Sequence, residues 1–167
     1  MKRKYLASIF TLILITLITA CGKDENEKAA EPKEQTVYIY YVALEGTQLT
    51  GKPIGCNDVL VREEKNVIIE RSPLEAALNE LVTSTPKGEL KNFIKGPQLM
   101  LVQVTIANGI ADVYLKGDFN ISGVCDIPRI QEQLTETAKQ FSDLEKVNFY
   151  INDQTLDNYL SVAKVSF

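Results

Sequence analysis

The sequence predicts an α+β fold: a single small domain with a mixed or antiparallel sheet and two main helices packed on one face. Three observations carry this expectation. Val37-Tyr38-Ile39-Tyr40-Tyr41-Val42-Ala43 is rich in β-branched and aromatic residues and apolar on both faces, as a buried central strand is. Asn108-Gly109 separates two apolar-alternating runs and marks a two-residue hairpin turn. Two further stretches carry apolar residues at helical spacing: Leu74, Ala77, Leu78, Leu81 and Val82, then Ile127, Ile130, Leu134, Ala138 and Phe141.

In chain order, the opening strand is followed by a loop over 46–55 that holds glycines and Pro53. A short strand over 58–63 continues or re-pairs through Val67-Ile68-Ile69. Ser72-Pro73-Leu74-Glu75 starts the first helix, with Ser72 as cap, Pro73 at the first helical position and Glu75 completing a capping box. That helix stops near Ser84, before Pro86 and Gly88. Residues 90–98 form a loop. The hairpin strands follow at 99–107 and 110–115. Alternation puts Val102, Val104 and Ile106 on one face, and Ala111, Val113 and Leu115 on one face of the partner. The second helix covers about 127–141, capped by Asp126; a strand over 147–151 and a short helix over 156–163 complete the chain. Helices and strands in this order fit an α+β domain.

The N-terminus carries a different signal. Lys2-Arg3-Lys4 precedes an apolar run from Tyr5 to Ala20, and small residues lead into Cys21. This is the layout of a secretory signal. The run is short for a spanning helix, which needs about 20 apolar residues. Ile18-Thr19-Ala20-Cys21 resembles the bacterial lipobox, in which the cysteine is lipidated and becomes the new N-terminus. The expected organisation is therefore a lipoprotein signal peptide over 1–20, lipidated Cys21 with a flexible tether over 21–36, and a domain over 37–167. Residues 22–36 hold no aromatic or aliphatic residue larger than Ala, so they have little to bury, and fully extended they reach about 50 Å. An uncleaved signal anchor would leave the domain on the same side of the same membrane. The signal predicts an extracytoplasmic, membrane-anchored location; Gly22 differs from the Asp that retains some lipoproteins in an inner membrane, so an outer membrane is allowed as well as a cell membrane.

Charge argues against two partner classes. Without Lys2, Arg3 and Lys4 the chain keeps 15 basic and 22 acidic residues, a net of −7. Nucleic acid and anionic lipid surfaces both require clustered Lys and Arg. Acyl chains would hold the protein to the membrane instead.

With Cys21 lipidated, Cys56 and Cys125 remain as an even pair in an oxidising compartment, and a disulfide is expected. The rival is a redox or metal site. C-x-x-C is absent, and zinc would want more Cys or some His, of which the chain has none. No cofactor and no metal are expected. The lack of His also removes Ser-His-Asp and Cys-His arrangements. Four carboxylates merit weighing as acid–base groups: Asp58, Asp112, Asp118 and Asp126. Each has an ordinary alternative role as a turn, strand-face or cap residue, and no catalytic residue is assigned. Tyr38, Tyr40 and Tyr41 could line a binding face, though in a strand they more often pack the sheet.

The chain resembles the GerMN domain, named for sporulation and germination proteins. Four stretches within about 36–153 carry the resemblance: Val37-Tyr38-Ile39-Tyr40-Tyr41; the capped helix Ser72-Pro73-Leu74-Glu75-Ala76-Ala77-Leu78-Asn79-Glu80-Leu81; the hairpin from Val104 through Asn108-Gly109 to Leu115, running into Asp118-Phe119; and Ile130 to Phe141 before Val147-Asn148-Phe149-Tyr150-Ile151. Some relatives carry paired cysteines, which Cys56 and Cys125 resemble. The loops depart from the family, with Thr83-Ser84-Thr85-Pro86 after the first helix and Asn152-Asp153 after the last strand. The resemblance implies a module similar to ring-building domains of secretion and sporulation machines. It implies binding or assembly at the envelope and no known catalysis. The leading expectation is thus a non-enzymatic, membrane-anchored module that contacts an envelope protein or peptidoglycan. A carboxylate-dependent envelope hydrolase and a self-associating subunit of a ring complex are the alternatives.

Overall fold

In the computed structural model, residues 33–164 are described. The expected signal peptide, Cys21 and the part of the expected tether up to residue 32 lie outside them, as do residues 165–167. Strand β1 (Lys33–Ala43) pairs antiparallel along its whole length with β3 (Val59–Ile69). Two short strands, β2 (Lys52–Pro53) and β4 (Leu90–Lys91), flank this pair in the order β2-β3-β1-β4. The second sheet is β5 (Met100–Ala107), β6 (Ile110–Lys116), β7 (Lys146–Ile151) and β8 (Gln154–Thr155), in that order. Its β6–β7 pair is parallel and the others are antiparallel. Helices α1 (Pro73–Thr83), α2 (Asp126–Lys139) and α3 (Leu156–Lys164) complete the α+β fold.

The class agrees with the sequence, but the sheet is divided in two. Alternation tells which face of a strand is buried and not which strand it pairs with. Helix α1 packs on β1 and β3 of one sheet and on β5 of the other, while α2 packs on β1 and α3 on β7 and β8. Both sheets therefore feed one core, in which Ile39 and Tyr41 of β1, Leu78 and Leu81 of α1, Val113 of β6, Leu134 of α2 and Leu160 of α3 are all buried. Truncating any such leucine to alanine would cost about 2–5 kcal/mol.

Several boundaries differ from expectation. Among the described residues, β1 starts at Lys33, earlier than the strand expected from 37, because Lys33 to Thr36 pair with Ile69 to Asn66. These residues are polar, so the backbone ladder holds them, together with a hydrogen bond donated by the Thr36 hydroxyl to Asn66 Oδ1 at 2.8 Å. The strand expected at 58–63 is the first half of the single long β3. In β5 a bulge after Leu101 breaks the alternation: Leu101 faces Leu115, and Gln103 faces Tyr114. Val102 is pushed out of phase, and it and Ile106 remain about half exposed on a strand at the sheet's edge.

Local signals at the turns and caps act as their chemistry dictates. Ser72 Oγ accepts from the Glu75 N–H at 3.1 Å and caps α1. The Glu75 carboxylate turns to Arg71. Asn108 and Gly109 both adopt positive φ, 51° and 75°, as a tight hairpin turn requires. Asn152 and Asp153 do the same at 49° and 65°, which makes the unexpected β7–β8 hairpin. No helix among the described residues is long and apolar enough to cross a membrane.

Candidate functional site

Cys56 and Cys125 are joined by a disulfide with a Cα–Cα distance of 5.9 Å. Cys56 sits in a single helical turn over Gly55–Asn57, and Cys125 immediately precedes α2. The approach is tight: a Cβ on Gly55 would come within 3.0 Å of Pro128 Cγ, in the first turn of α2. Lys52 of β2 reaches Glu132 and Glu136 of α2 at 2.8 and 2.9 Å, so ion pairs fasten the same loop to the same helix.

Two of the four candidate carboxylates meet beside this disulfide. Asp58 is 1% exposed. Its Oδ1 accepts from the Glu45 N–H at 2.9 Å, and its Oδ2 accepts from Arg129 Nε at 2.6 Å. Asp126 is buried too; its Oδ1 accepts from Arg129 Nη1 at 2.9 Å and its Oδ2 from the Ser122 N–H at 2.7 Å. The guanidinium also lies 4.8 Å from the centre of the Phe93 ring. Burial opposes the charge on Arg129, but the hydrogen bonds it donates to Asp58 and Asp126 outweigh that and hold its pKa above the ordinary value. Asp126 is therefore inside the first turn of α2 and not its cap. The cap position belongs to Cys125, whose side chain is taken by the disulfide.

The other two carboxylates stand on different elements. Asp112 accepts from Asn148 Nδ2 across β6 and β7 at 2.8 Å, and Asp118 accepts from the Tyr159 hydroxyl at 3.1 Å. The structure thus brings Asp58 and Asp126 together on one cation and leaves Asp112 and Asp118 elsewhere. Among the described residues no group of three or more His, Cys, Asp or Glu is placed to hold a metal ion. Of the tyrosines, Tyr41 is buried, with its hydroxyl 2.6 Å from Ser84 Oγ. Burial pushes its pKa up. Tyr38 lies under the Arg62 guanidinium, 4.1 Å from the ring centre.

Two polar residues of α2, Gln133 and Thr137, and its C-cap Gln140 make contacts that the apolar stripe does not announce. Gln140 Oε1 accepts from the Tyr38 N–H and its Nε2 donates to the Tyr38 carbonyl, both at 2.8 Å. Thr137 Oγ1 accepts from the Tyr40 N–H, and Gln133 Nε2 donates to the Tyr40 carbonyl. These side chains take the place of a strand along the open edge of β1. Their spacing, 133, 137 and 140, is the helical signal that would have revealed them.

Two open surfaces remain on the second sheet. Strand β5 ends the sheet and exposes Met100, Val102 and Ile106 by 46–54%. At the opposite side a groove of about 600 Å³ runs along β7 between α2 and the start of α3; Ala138, Phe141, Leu144, Phe149 and Leu156 give it apolar walls. A second hollow, about 500 Å³, lies between the end of β3 and α1 and is lined mainly by polar groups, including Arg71 and Glu75.

The family Germane, described as "Sporulation and spore germination", matches residues 38–157. The chain belongs to the Germane family. The GerMN resemblance of the sequence is thereby shown. The solved structure of the tandem GerMN domains of the sporulation protein GerM from Bacillus subtilis is similar in fold, with a TM-score of 0.52 at 17% identity over 83% of this chain. This chain spans 44% of that one. No curated protein matches it by sequence. The match covers β1 through the start of α3, so both sheets and the disulfide loop belong to the Germane domain.

Proposed function

We propose that this protein is a membrane-anchored, extracytoplasmic lipoprotein. Its Germane domain works by contact, binding an envelope protein or cell-wall material in processes of the sporulation and germination type. The observation that carries the contact reading is the division of labour in the domain. Each of the four carboxylates weighed for acid–base chemistry is engaged in a structural bond, whereas strand edges and apolar side chains of the second sheet are left open. A hydrolase using Asp58 and Asp126 draws no support from oxygens already committed to Arg129, the Glu45 N–H and the Ser122 N–H. The anchoring reading draws support from Lys2-Arg3-Lys4, the apolar run and Ile18-Thr19-Ala20-Cys21, in that order.

A second copy of the chain is the alternative contact, favoured by β5. Its sequence, Met100-Leu101-Val102-Gln103-Val104-Thr105-Ile106-Ala107, holds no charge. Edge strands usually carry Lys, Pro or inward charges that prevent such pairing.

Intact mass of the protein taken from its native membrane tests the anchor. Loss of residues 1–20 with added acyl mass on Cys21 is expected; an unacylated, full-length chain would defeat it. Crosslinking in the same membranes tests the contact. A discrete adduct with one envelope protein or with peptidoglycan fragments is expected, and an uncrosslinked monomer under all conditions would remove the reading.

A further inference from the structure

The edges of β1 and β5 are finished differently. On β1, the outward N–H and C=O groups of Tyr38 and Tyr40 are all satisfied by Gln133, Thr137 and Gln140. Strand β5 ends its sheet, with β6 on one side and, among the described residues, no strand on the other. Six of its eight residues are exposed, so nothing described covers that side. The Asn108-Gly109 turn fixes which backbone groups face outward. In a two-residue hairpin the flanking residues, here Ala107 and Ile110, are bonded to each other. Alternation then turns the backbone groups of Thr105 and Gln103 toward β6, and those of Val104 and Ile106 away from it. The side chains of Val104 and Ile106 share the core-side face, where Val104 packs against the core, and Thr105 points to the opposite face.

We propose that β5 pairs antiparallel with β5 of a second copy of this chain, in a two-fold register centred on Thr105. The inference rests on the contact reading above and gives its second-copy form a surface and a register. In this register Val104 lies opposite Ile106 of the partner subunit, and Ile106 opposite Val104 of the partner subunit. Every outward N–H and C=O of Val104 and Ile106 is then bonded. A centre between two residues would set outward groups against inward ones. A centre on Val104 would place Ile106 against the bulge that follows Leu101, and a centre on Ile106 would place Val104 against the turn at Asn108. Only the centre on Thr105 uses both outward residues of both copies. The pairing joins two four-stranded sheets into one and leaves no β5 edge free, so assembly stops at two copies.

Charge and side chains select a second copy as the occupant. Strand β5 holds no charged residue, so it offers an acidic or a basic peptide no attraction. Two copies of a chain of net negative charge repel least where one uncharged strip meets another. On β6 the residue opposite Thr105 is Asp112, whose carboxylate accepts from Asn148 Nδ2 at 2.8 Å. Across the pair the two Asp112 residues would stand three strand spacings apart, about 14 Å, which exceeds the screening length of about 8 Å at physiological ionic strength. On the core-side face Val104 meets Ile106 of the partner subunit. On the other face Thr105 meets Thr105 of the partner subunit, and cross-strand threonine pairs are stabilising. The exposure of Ile106, 46% in the single chain, is thereby reduced.

The test uses the full-length chain, in its native membrane and purified in detergent. Thr105→Cys is expected to give a disulfide-linked dimer on mild oxidation, and the parent chain treated alike none. Opposed Cα atoms in such a pair are about 4.5 Å apart, within the disulfide range of about 4.4–6.8 Å. Gln103→Cys alone, about 13 Å from its own counterpart, should stay unlinked, whereas Gln103→Cys produced together with Ala107→Cys should link. In the parent chain, amide exchange at Val104 and Ile106 should be slow and should quicken on dilution, while Thr105 stays slow throughout. Ile106→Lys should raise the dimer Kd roughly tenfold. A chain that is monomeric at millimolar concentration, or one that grows past two copies, would overturn the proposal. So would slow exchange at Val104 and Ile106 in a monomer, because the occupant would then be a part of this chain outside residues 33–164. Photoreactive residues in native membranes separate this inference from the broader reading. Adducts from position 105 with a foreign envelope protein and never with a second copy would sink the pairing and keep the contact reading; adducts from neither position 105 nor position 142 at the groove would sink both.

Discussion

At Arg129 a single side chain balances two buried acids and closes the loop that carries Cys56. Asp58 and Asp126 are nearly closed off from water, at 1% and 5% exposed. Removing one partner of a buried pair leaves an uncompensated charge and costs about 3–5 kcal/mol. Arg129→Ala is therefore expected to lose stability of that order in urea unfolding. The double variant Asp58→Asn, Arg129→Met is expected to lose clearly less, because it buries only one unpaired charge. A single variant within about 1 kcal/mol of the parent would show that water or a rearranged loop takes over. The sequence announces only part of this cluster. Asp126 and Arg129 are three residues apart on a helix, which puts them on one face. Asp58 is 71 residues away from Arg129, and nothing local ties the two. The expectation that Asp126 caps the helix fails for the same reason: a cap needs a free side chain pointing at the first turn, and the guanidinium and the Ser122 N–H claim this one.

At the scale of the element, α2 does two jobs with two faces. Ile130, Leu134 and Ala138 are buried in the core, and that stripe is plain in the sequence. Gln133, Thr137 and Gln140 finish β1, and they are polar, so a reading based on apolar periodicity passes over them. Gln133 is fully buried, and it also accepts from the Phe93 N–H at 2.7 Å. Gln133→Leu keeps the volume but orphans the Phe93 N–H and the Tyr40 carbonyl. An unsatisfied buried group costs about 1–3 kcal/mol. The variant is expected to be destabilised accordingly, with faster hydrogen exchange at the Phe93 amide; unchanged exchange and unchanged stability would refute the role assigned to Gln133. The strands were legible in kind but not in pairing. The Asn108-Gly109 turn fixes β5 against β6 because hairpin chemistry is local. The parallel partner of β6 comes more than thirty residues later, and the division into two sheets depends on contacts that no local pattern encodes.

At the scale of the whole molecule, the disulfide and the ion cluster are two fastenings of one junction, where the loop after β1 meets the start of α2. The sequence separation between Cys56 and Cys125 is 69 residues. Constraining an unfolded loop of that size stabilises the fold by about 4 kcal/mol in the chain-entropy model. A small domain has about 5–15 kcal/mol in total, so this is a large share. Reduction, or Cys56→Ser with Cys125→Ser, is expected to lower the unfolding free energy by about that amount while leaving the core packed. The two fastenings should also be coupled, because both act on the same loop. When the disulfide is reduced and the loop is released, Arg129 no longer has Asp58 held against it, and Arg129→Ala should cost less than it does in the oxidised protein. A double-mutant cycle between the cysteine pair and Arg129 measures this. Strict additivity would mean that the loop stays seated without its disulfide, with the Lys52 pairs to Glu132 and Glu136 and the Asp58 bonds sufficient by themselves. A clear shortfall from additivity would make this junction a single cooperative clasp, closed in an oxidising compartment and loosened by a reducing one.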